Sequence, residues 1–294
     1  MEMFSMFKRA GVLLPLARRR KVRLGSSIYR VQSFFPNPIA QSDPSEVEAH
    51  EPWLDSVLRA VLTCRQGAFL DVGANIGQTM LKILAIEKTR QYVGFEPQVS
   101  CSFVIHRFIR DNDLKNFVIL PFGLFTENRI VRIQLRGGDS DTASIIENFR
   151  PISFYTSQEY VCVRRGDEVV TELNLQSVAV LKIDVEGAEL EIIEGLSNTI
   201  REHKPFIIFE VLNSYLAVTG ERLDDSIIEF RAKRTQRMEA ILRDQGYEIF
   251  NILPQNILRR VDSIQPSVSA DLSLTNYLAV PAKDTGFLLR VMSA

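Results

Sequence analysis

Asp71, Glu96, Asp184 and Glu210 each stand where a short apolar run of this chain ends. A carboxylate in that position can receive a cationic group, accept from the hydroxyls of a sugar, or take a proton from an alcohol. The most telling stretch is Phe69-Leu70-Asp71-Val72-Gly73-Ala74-Asn75-Ile76-Gly77. It reads as a buried strand that stops at a carboxylate and turns through glycines into a helix at Thr79-Met80-Leu81, whose free N–H groups face a ligand. A dinucleotide turn needs a second glycine so that the backbone can approach the pyrophosphate, and here Asn75 occupies that place. Asp71 would repel a pyrophosphate but receive a cationic amino-acid end. The lysine and hydroxyl residue of a phosphate-cradling loop are missing as well.

Gly94-Phe95-Glu96-Pro97 closes the next strand with an acid 19 residues after Gly77. Such an acid accepts both hydroxyls of a ribose, a device that NAD enzymes share. Further on, Asp184 ends a strand where it can face both cofactor and acceptor, as base or as orienter beside a metal. Glu186 follows at a turn, with catalysis and neutralisation of the next helix N-terminus as equal readings. Lys182 lies on the same side of the strand as Asp184 by alternation, and a structural ion pair between them is the preferred reading. Glu210 and Asn213 are candidates to orient an acceptor or to help ligate a cation. His106 and His203 read as packing or helix-capping residues. The aromatic residues Phe149, Phe154, Tyr155 and Tyr160 read as a minor core, with a sugar-stacking wall as the alternative.

These residues need strands to carry them. Apolar and amphipathic runs alternate as a strand near 68 to 72, a helix at 78 to 87, a strand at 91 to 95, a helix at 98 to 111 and a strand at 117 to 120. Val178 to Val185, a helix over Ala188 to Leu196 and the strand Phe206-Ile207-Ile208-Phe209 continue the pattern. It predicts a largely parallel sheet with helices on both faces and ligands at the carboxyl ends of its strands. Tyr247 to Ile252 and Tyr277 to Val280 are expected to pair antiparallel at one edge after a helix near 225 to 245. Residues 121–165 break the alternation and read as a β-rich insertion over the site, with Gly137-Gly138-Asp139-Ser140-Asp141 as its loop. Residues 1–44 read as a basic arm and linker, and residues 45–294 as a single domain that opens on a capping box of Ser45 and Glu48. The next helix carries Trp53, Leu54, Val57, Leu58, Val61 and Leu62 on one face.

At 46% hydrophobic and 24% charged residues the composition is that of a globular α/β chain. A formal charge of -1 provides no field for nucleic acid or an anionic membrane. Cys64, Cys101 and Cys162 lie far apart and the three histidines are scattered, so neither a disulfide framework nor a zinc signature arises and a reducing, cytoplasmic setting is expected. Lys8, Arg9 and the basic residues from Arg18 to Arg23 surround only a short apolar run, which is no membrane span. A solvated arm is the preferred reading there, and a peripheral contact with a membrane or other anionic partner the alternative.

Asp71 to Gly77, Phe95-Glu96-Pro97, Lys182-Ile183-Asp184-Val185-Glu186-Gly187-Ala188-Glu189 and Phe209-Glu210 together resemble the FkbM family of S-adenosylmethionine-dependent methyltransferases. The resemblance covers roughly residues 65 to 212 with its four motifs in family order. It implies a Rossmann-like class I methyltransferase fold, a seven-stranded sheet whose last strand is antiparallel. It also implies methyl transfer from S-adenosylmethionine, usually to a hydroxyl oxygen. Asp71, Gly73, Asn75 and Gly77 would then surround the methionine part of the cofactor, and Glu96 would hold its ribose. Ser144, in Asp141-Thr142-Ala143-Ser144, corresponds to a serine loop that many members carry. The catalytic candidates are Asp184, Glu186 and Glu210; no metal ligand set is assigned, although a divalent metal would suit an alcohol acceptor.

The expected function is O-methylation of a small sugar-like or secondary-metabolite acceptor. An NAD-dependent oxidoreductase, disfavoured by Asn75, and a non-catalytic cofactor-binding regulatory protein are the alternatives.

Overall fold

The computed structural model describes residues 18–24, 27–33, 51–136, 139–212, 222–266 and 274–293. Lys8, Arg9, the prolines of the linker, the capping box of Ser45 and Glu48, Gly137, Gly138 and Asn213 lie outside the described residues. Within the basic segment, Arg18–Leu24 (β1) and Ser27–Ser33 (β2) pair antiparallel. A hairpin thus stands where the charge run suggested a solvated arm. It docks on the core through Tyr29, which is 7% exposed and has its ring centroid 5.8 Å from that of Phe108. The Asn112 side chain fastens it further, accepting the Arg30 amide at 2.6 Å and donating to the Arg30 carbonyl at 2.8 Å.

The chain then runs through Trp53–Cys64 (α1), Ala68–Val72 (β3), Gln78–Ile86 (α2), Tyr92–Phe95 (β4), Val99–Asp111 (α3) and Phe117–Leu120 (β5). Next come Gly123–Phe125 (β6), Arg129–Arg136 (β7), Asp139–Ser144 (β8) and Ser157–Arg165 (β9), followed by Gly166–Glu172 (α4), Val178–Ile183 (β10), Glu189–Gly195 (α5), Ser197–His203 (α6) and Phe206–Glu210 (β11). Asp225–Asp244 (α7), Tyr247–Leu253 (β12), Ile257–Arg260 (β13), Asn276–Pro281 (β14) and Thr285–Ser293 (α8) complete it.

The main sheet has the order β13-β12-β14-β11-β10-β3-β4-β5. Pairing is parallel from β11 to β5, and β14 enters antiparallel between β11 and β12. This is a class I methyltransferase sheet, with eight strands where seven were expected. The additional strand, β13, is four mostly exposed residues that include Arg259 and Arg260, so it carries no buried-strand pattern. Its hairpin with β12 turns through Gln255 and Asn256, both at φ 64°.

β3, β4 and β10 are buried along their whole length, as central parallel strands covered on both faces must be. One face packs on α1, α2, α3 and Leu288 of α8; the other packs on α5, α7 and the strands of the insertion. Those strands form a separate four-stranded sheet, β6-β9-β7-β8, whose buried Val131, Val161 and Val163 join the core of the main sheet. Arg90, 2% exposed, donates to the carbonyls of Leu62, Arg65 and Gly67 and so fixes the turn that feeds β3.

Candidate functional site

Strand register decides which side chains meet. Asp71 on β3 lies opposite Lys182 on β10 and Gly94 on β4. Beyond the last paired residues, the Gly73 and Ala74 amides donate to the Phe95 carbonyl at 3.0 and 3.1 Å, and the Asp184 amide donates to the Val72 carbonyl at 3.0 Å. Asp71, Glu96 and Asp184 therefore sit at the carboxyl ends of three adjacent strands. Gly73 has φ +84°, and a Cβ there would lie 1.8 Å from the Asp184 carbonyl oxygen, so only glycine lets the two turns close on each other.

Asp71 is fully buried. Its Oδ2 accepts the Tyr92 hydroxyl at 2.5 Å, while its Oδ1 has no hydrogen-bond partner among the described residues. Burial pushes the Asp71 pKa up to about 6, against the pull of the Lys182 ammonium. Glu96, 4% exposed, accepts the Asn75 amide on Oε2 at 2.9 Å and the Gln98 amide on Oε1 at 2.8 Å. It binds the glycine turn to its own strand end, with Asn75 at φ 46° in the left-handed region that asparagine tolerates. Each carboxylate oxygen keeps acceptor capacity for a further donor. Burial raises the Glu96 pKa to about 7, against the two backbone donors. Gly77, at φ 96°, is the residue from which α2 starts.

Lys182 pairs with Asp184 Oδ2 at 2.9 Å. Burial works against its charge, but the carboxylates of Asp184, Asp71 and Glu51 outweigh that penalty and raise its pKa. Asp184 keeps a side chain 32% exposed, open toward the space above the strand ends. Glu186, at φ 56°, forms an ion pair with Arg150. The amide of Gly187 beside it is taken by Glu189, at 3.0 Å. Ser144, 1% exposed, donates to the Glu186 carbonyl at 2.8 Å and accepts the Ile146 amide at 3.2 Å, so its hydroxyl ties the insertion to this turn. Glu210 accepts the Thr275 hydroxyl at 2.7 Å, and burial followed by the charges of Asp184 and Glu186 raises its pKa well above the usual carboxylate range.

The aromatic residues of the insertion divide. Phe149 is buried in the core, Phe154 and Tyr155 meet edge to face at 5.2 Å, and Tyr160 is 70% exposed. His203 accepts the Val178 amide at 3.3 Å near the end of α6, and His106 lies exposed on α3. Among the described residues, no three His, Cys, Asp or Glu side chains converge as a metal site.

The site also holds arginines that sequence reading did not single out. Arg150 donates to the Thr142 carbonyl at 3.1 Å besides pairing with Glu186. Arg231 donates through Nε and Nη2 to the Phe149 carbonyl at 2.9 and 2.7 Å. Arg234 donates to the Gly187 carbonyl at 2.8 Å and pairs with Glu191. The only sequence signal for the last two was their spacing of three on α7, which puts them on one helix face.

The chain matches the Methyltransferase FkbM domain over residues 71–249, more than half its length. It belongs to the FkbM methyltransferase family. The matched region begins at Asp71 and takes in Glu96, Asp184, Glu186, Glu210 and α7, while the N-terminal hairpin and α8 of this FkbM protein fall outside it. Among solved structures it is similar to an FkbM methyltransferase from Methylobacillus flagellatus KT, at 17% identity and a TM-score of 0.42, covering 73% of this chain and 43% of that one. The chain thus spans less than half the length of that relative. An O-methyltransferase from Bacillus cereus in complex with SAH is similar at 9% identity and a TM-score of 0.43, covering 81% of this chain and 89% of that one. Aeropyrum pernix fibrillarin with natively bound S-adenosyl-L-methionine is similar at 14% identity and a TM-score of 0.42, covering 91% and 86%. No curated protein matches the chain.

Proposed function

We propose that this FkbM-family chain is an S-adenosylmethionine-dependent O-methyltransferase that acts on the hydroxyl of a small sugar-like or secondary-metabolite acceptor in the cytoplasm. The observation that carries this reading is the fully buried Asp71 with Oδ1 unpartnered, set beside Glu96 and Asp184 on adjacent strand ends. An orphaned buried carboxylate oxygen costs on the order of 1–3 kcal/mol, and a cationic amino group with N–H donors meets both its charge and its empty acceptor site. Glu96 supplies acceptor capacity for ribose hydroxyls, and Gly73 packs the glycine turn against the Asp184 backbone so that the strand ends stand side by side.

When bound, the cofactor supplies an electrophilic methyl group on a sulfonium. The protein then has to hold a hydroxyl in line with it and exclude water. Asp184 keeps its side chain partly exposed at its strand end, and its Lys182 partner orients it at 2.9 Å. In this reading Asp184 would orient the acceptor hydroxyl and take its proton as that oxygen is methylated. Glu186 and Glu210 border the same space, the first fixed by Arg150 and the second by Thr275. Calorimetry with S-adenosylhomocysteine tests the reading directly: saturable binding in the micromolar range is expected, and no binding up to about 1 mM would remove it.

A further inference from the structure

Arg231 on α7 is 8% exposed, and its contacts are backbone carbonyls and a ring face. It donates to the Phe149 carbonyl twice and to the Leu212 carbonyl at 3.4 Å, and its guanidinium lies 4.5 Å from the centre of the Phe149 ring. Its neighbours differ: Arg150 pairs with Glu186 and Arg234 with Glu191. Among the described residues, no carboxylate comes within ion-pairing distance of Arg231. A guanidinium taken out of water in this way retains a desolvation cost that an anion in contact with it would offset, and donors of its fork are left over.

The position of Arg231 relates it to the acceptor space. It lines a crevice together with Phe149, Gly187, Glu189, Val211 and Arg234. Gly187 directly follows Glu186 beyond β10, and Val211 directly follows Glu210 at the end of β11. The crevice therefore opens beside the two strand ends that carry the catalytic candidates. A Cβ on Gly187 would lie 2.7 Å from the Phe149 ring, so a single layer of atoms separates Arg231's aromatic support from the catalytic turn. The charges of Glu186 and Glu189 act on Arg231 only from beyond ion-pairing distance. Glu189 is turned onto the Gly187 amide and burial pushes its pKa up to about 7, and burial likewise raises Glu210 well above the usual carboxylate range. Burial, then the nearby Arg150 charge, depresses Arg231 only to about 10, so it stays cationic at neutral pH.

We propose that Arg231 receives an anionic group, a carboxylate or a phosphate monoester, carried by the hydroxylated acceptor. The guanidinium fork fits both groups. This inference rests on the methyltransferase reading and adds a substrate class to it. Arg231 acts as a specificity-determining residue that docks the acceptor by its charge while the hydroxyl faces Asp184.

The test uses the full chain and side-chain Nε–H NMR, with the Arg231 resonance assigned from its absence in Arg231→Lys. The probes are acetate, inorganic phosphate and, as the neutral control, glucose. A saturable shift of the Arg231 resonance with acetate or phosphate and none with glucose is expected, and the anion that acts identifies the group. Calorimetric affinity for that anion should fall about tenfold or more in Arg231→Gln. Lack of a saturable shift with either anion, or equal affinity in wild type and a folded Arg231→Gln, overturns the inference. Should Arg231→Gln fail to fold, the contrast between anion and glucose in wild type decides alone. S-adenosylhomocysteine calorimetry on the same samples separates the two levels. Cofactor binding without anion binding removes only the substrate class, and loss of cofactor binding removes the methyltransferase reading itself.

Discussion

Glu96 and Asp184 differ in what holds them, and that difference predicts how each variant fails. Glu96 accepts the Asn75 amide of the glycine turn and the Gln98 amide just beyond its own strand, so in the proposed reading Glu96→Ala should weaken S-adenosylhomocysteine about tenfold to hundredfold in calorimetry. Asp184 is partly open and tied to Lys182, so Asp184→Asn should lower turnover about 10²- to 10⁴-fold while leaving that affinity within a few-fold. Equal wild-type rates would strip Asp184 of its role. The pH dependence has a definite sign. Ribose hydroxyls donate, so the ionised Glu96 is the form that binds. With its pKa raised to about 7 in the free protein, affinity should fall about tenfold per pH unit below that value and level off above it. Glu96→Gln should flatten the profile, and an unchanged slope would assign the titration to another group.

The elements act on the site through the turns between them as well as through their own side chains. Gly73 joins β3 to α2 and touches the end of β10, where an added methyl would meet the Asp184 carbonyl oxygen at 1.8 Å in a left-handed backbone. Gly73→Ala should therefore cost about 3 kcal/mol or more, seen as a lower urea midpoint. The Glu186–Gly187 turn is held from three directions, by Ser144, by Arg150 and by Arg234. Two of those holders come from the insertion and one from α7, so distant elements converge on this turn. Here the sequence was partly legible. Strands β3, β4, β10 and β11 show as apolar runs because burial on both faces leaves no polar alternation to obscure them, while the edge strand β5 shows as one only because an exposed Val118 stands where a polar residue would be expected. The β1–β2 hairpin and β13 stayed hidden because arginines recur along their sequences, and charge runs read as solvated chain.

For the whole molecule, the family match ends at residue 249, yet the fold does not. β14 is inserted between β11 and β12, and α8 packs behind it on α1, with Leu288 1% exposed. Leu288→Ala should destabilise the protein by about 3 kcal/mol while leaving S-adenosylhomocysteine affinity of the folded fraction unchanged, because Leu288 lies in the core on the face opposite the insertion. Thermal unfolding with and without ligand separates the two effects. A loss of affinity in the folded fraction would mean that this C-terminal helix supports the site. Among the described residues no helix is long and apolar enough to cross a membrane.

The sequence by itself determined the glycine turn, the acids at the strand ends and the parallel sheet beneath them, because each is a local pattern of a few consecutive residues. It also contained the Lys182–Asp184 pair, which follows from strand alternation alone. Only the tertiary structure decided that, among the described residues, Asp71 keeps an oxygen without a partner, that Ser144 and Arg150 hold the Glu186–Gly187 turn, and that Arg231 is buried with no carboxylate in ion-pairing distance. Phe149 and Arg231 are 82 residues apart and meet through a backbone carbonyl. Contacts of that kind depend on how the insertion and α7 pack over the sheet, and no local pattern in either segment encodes them.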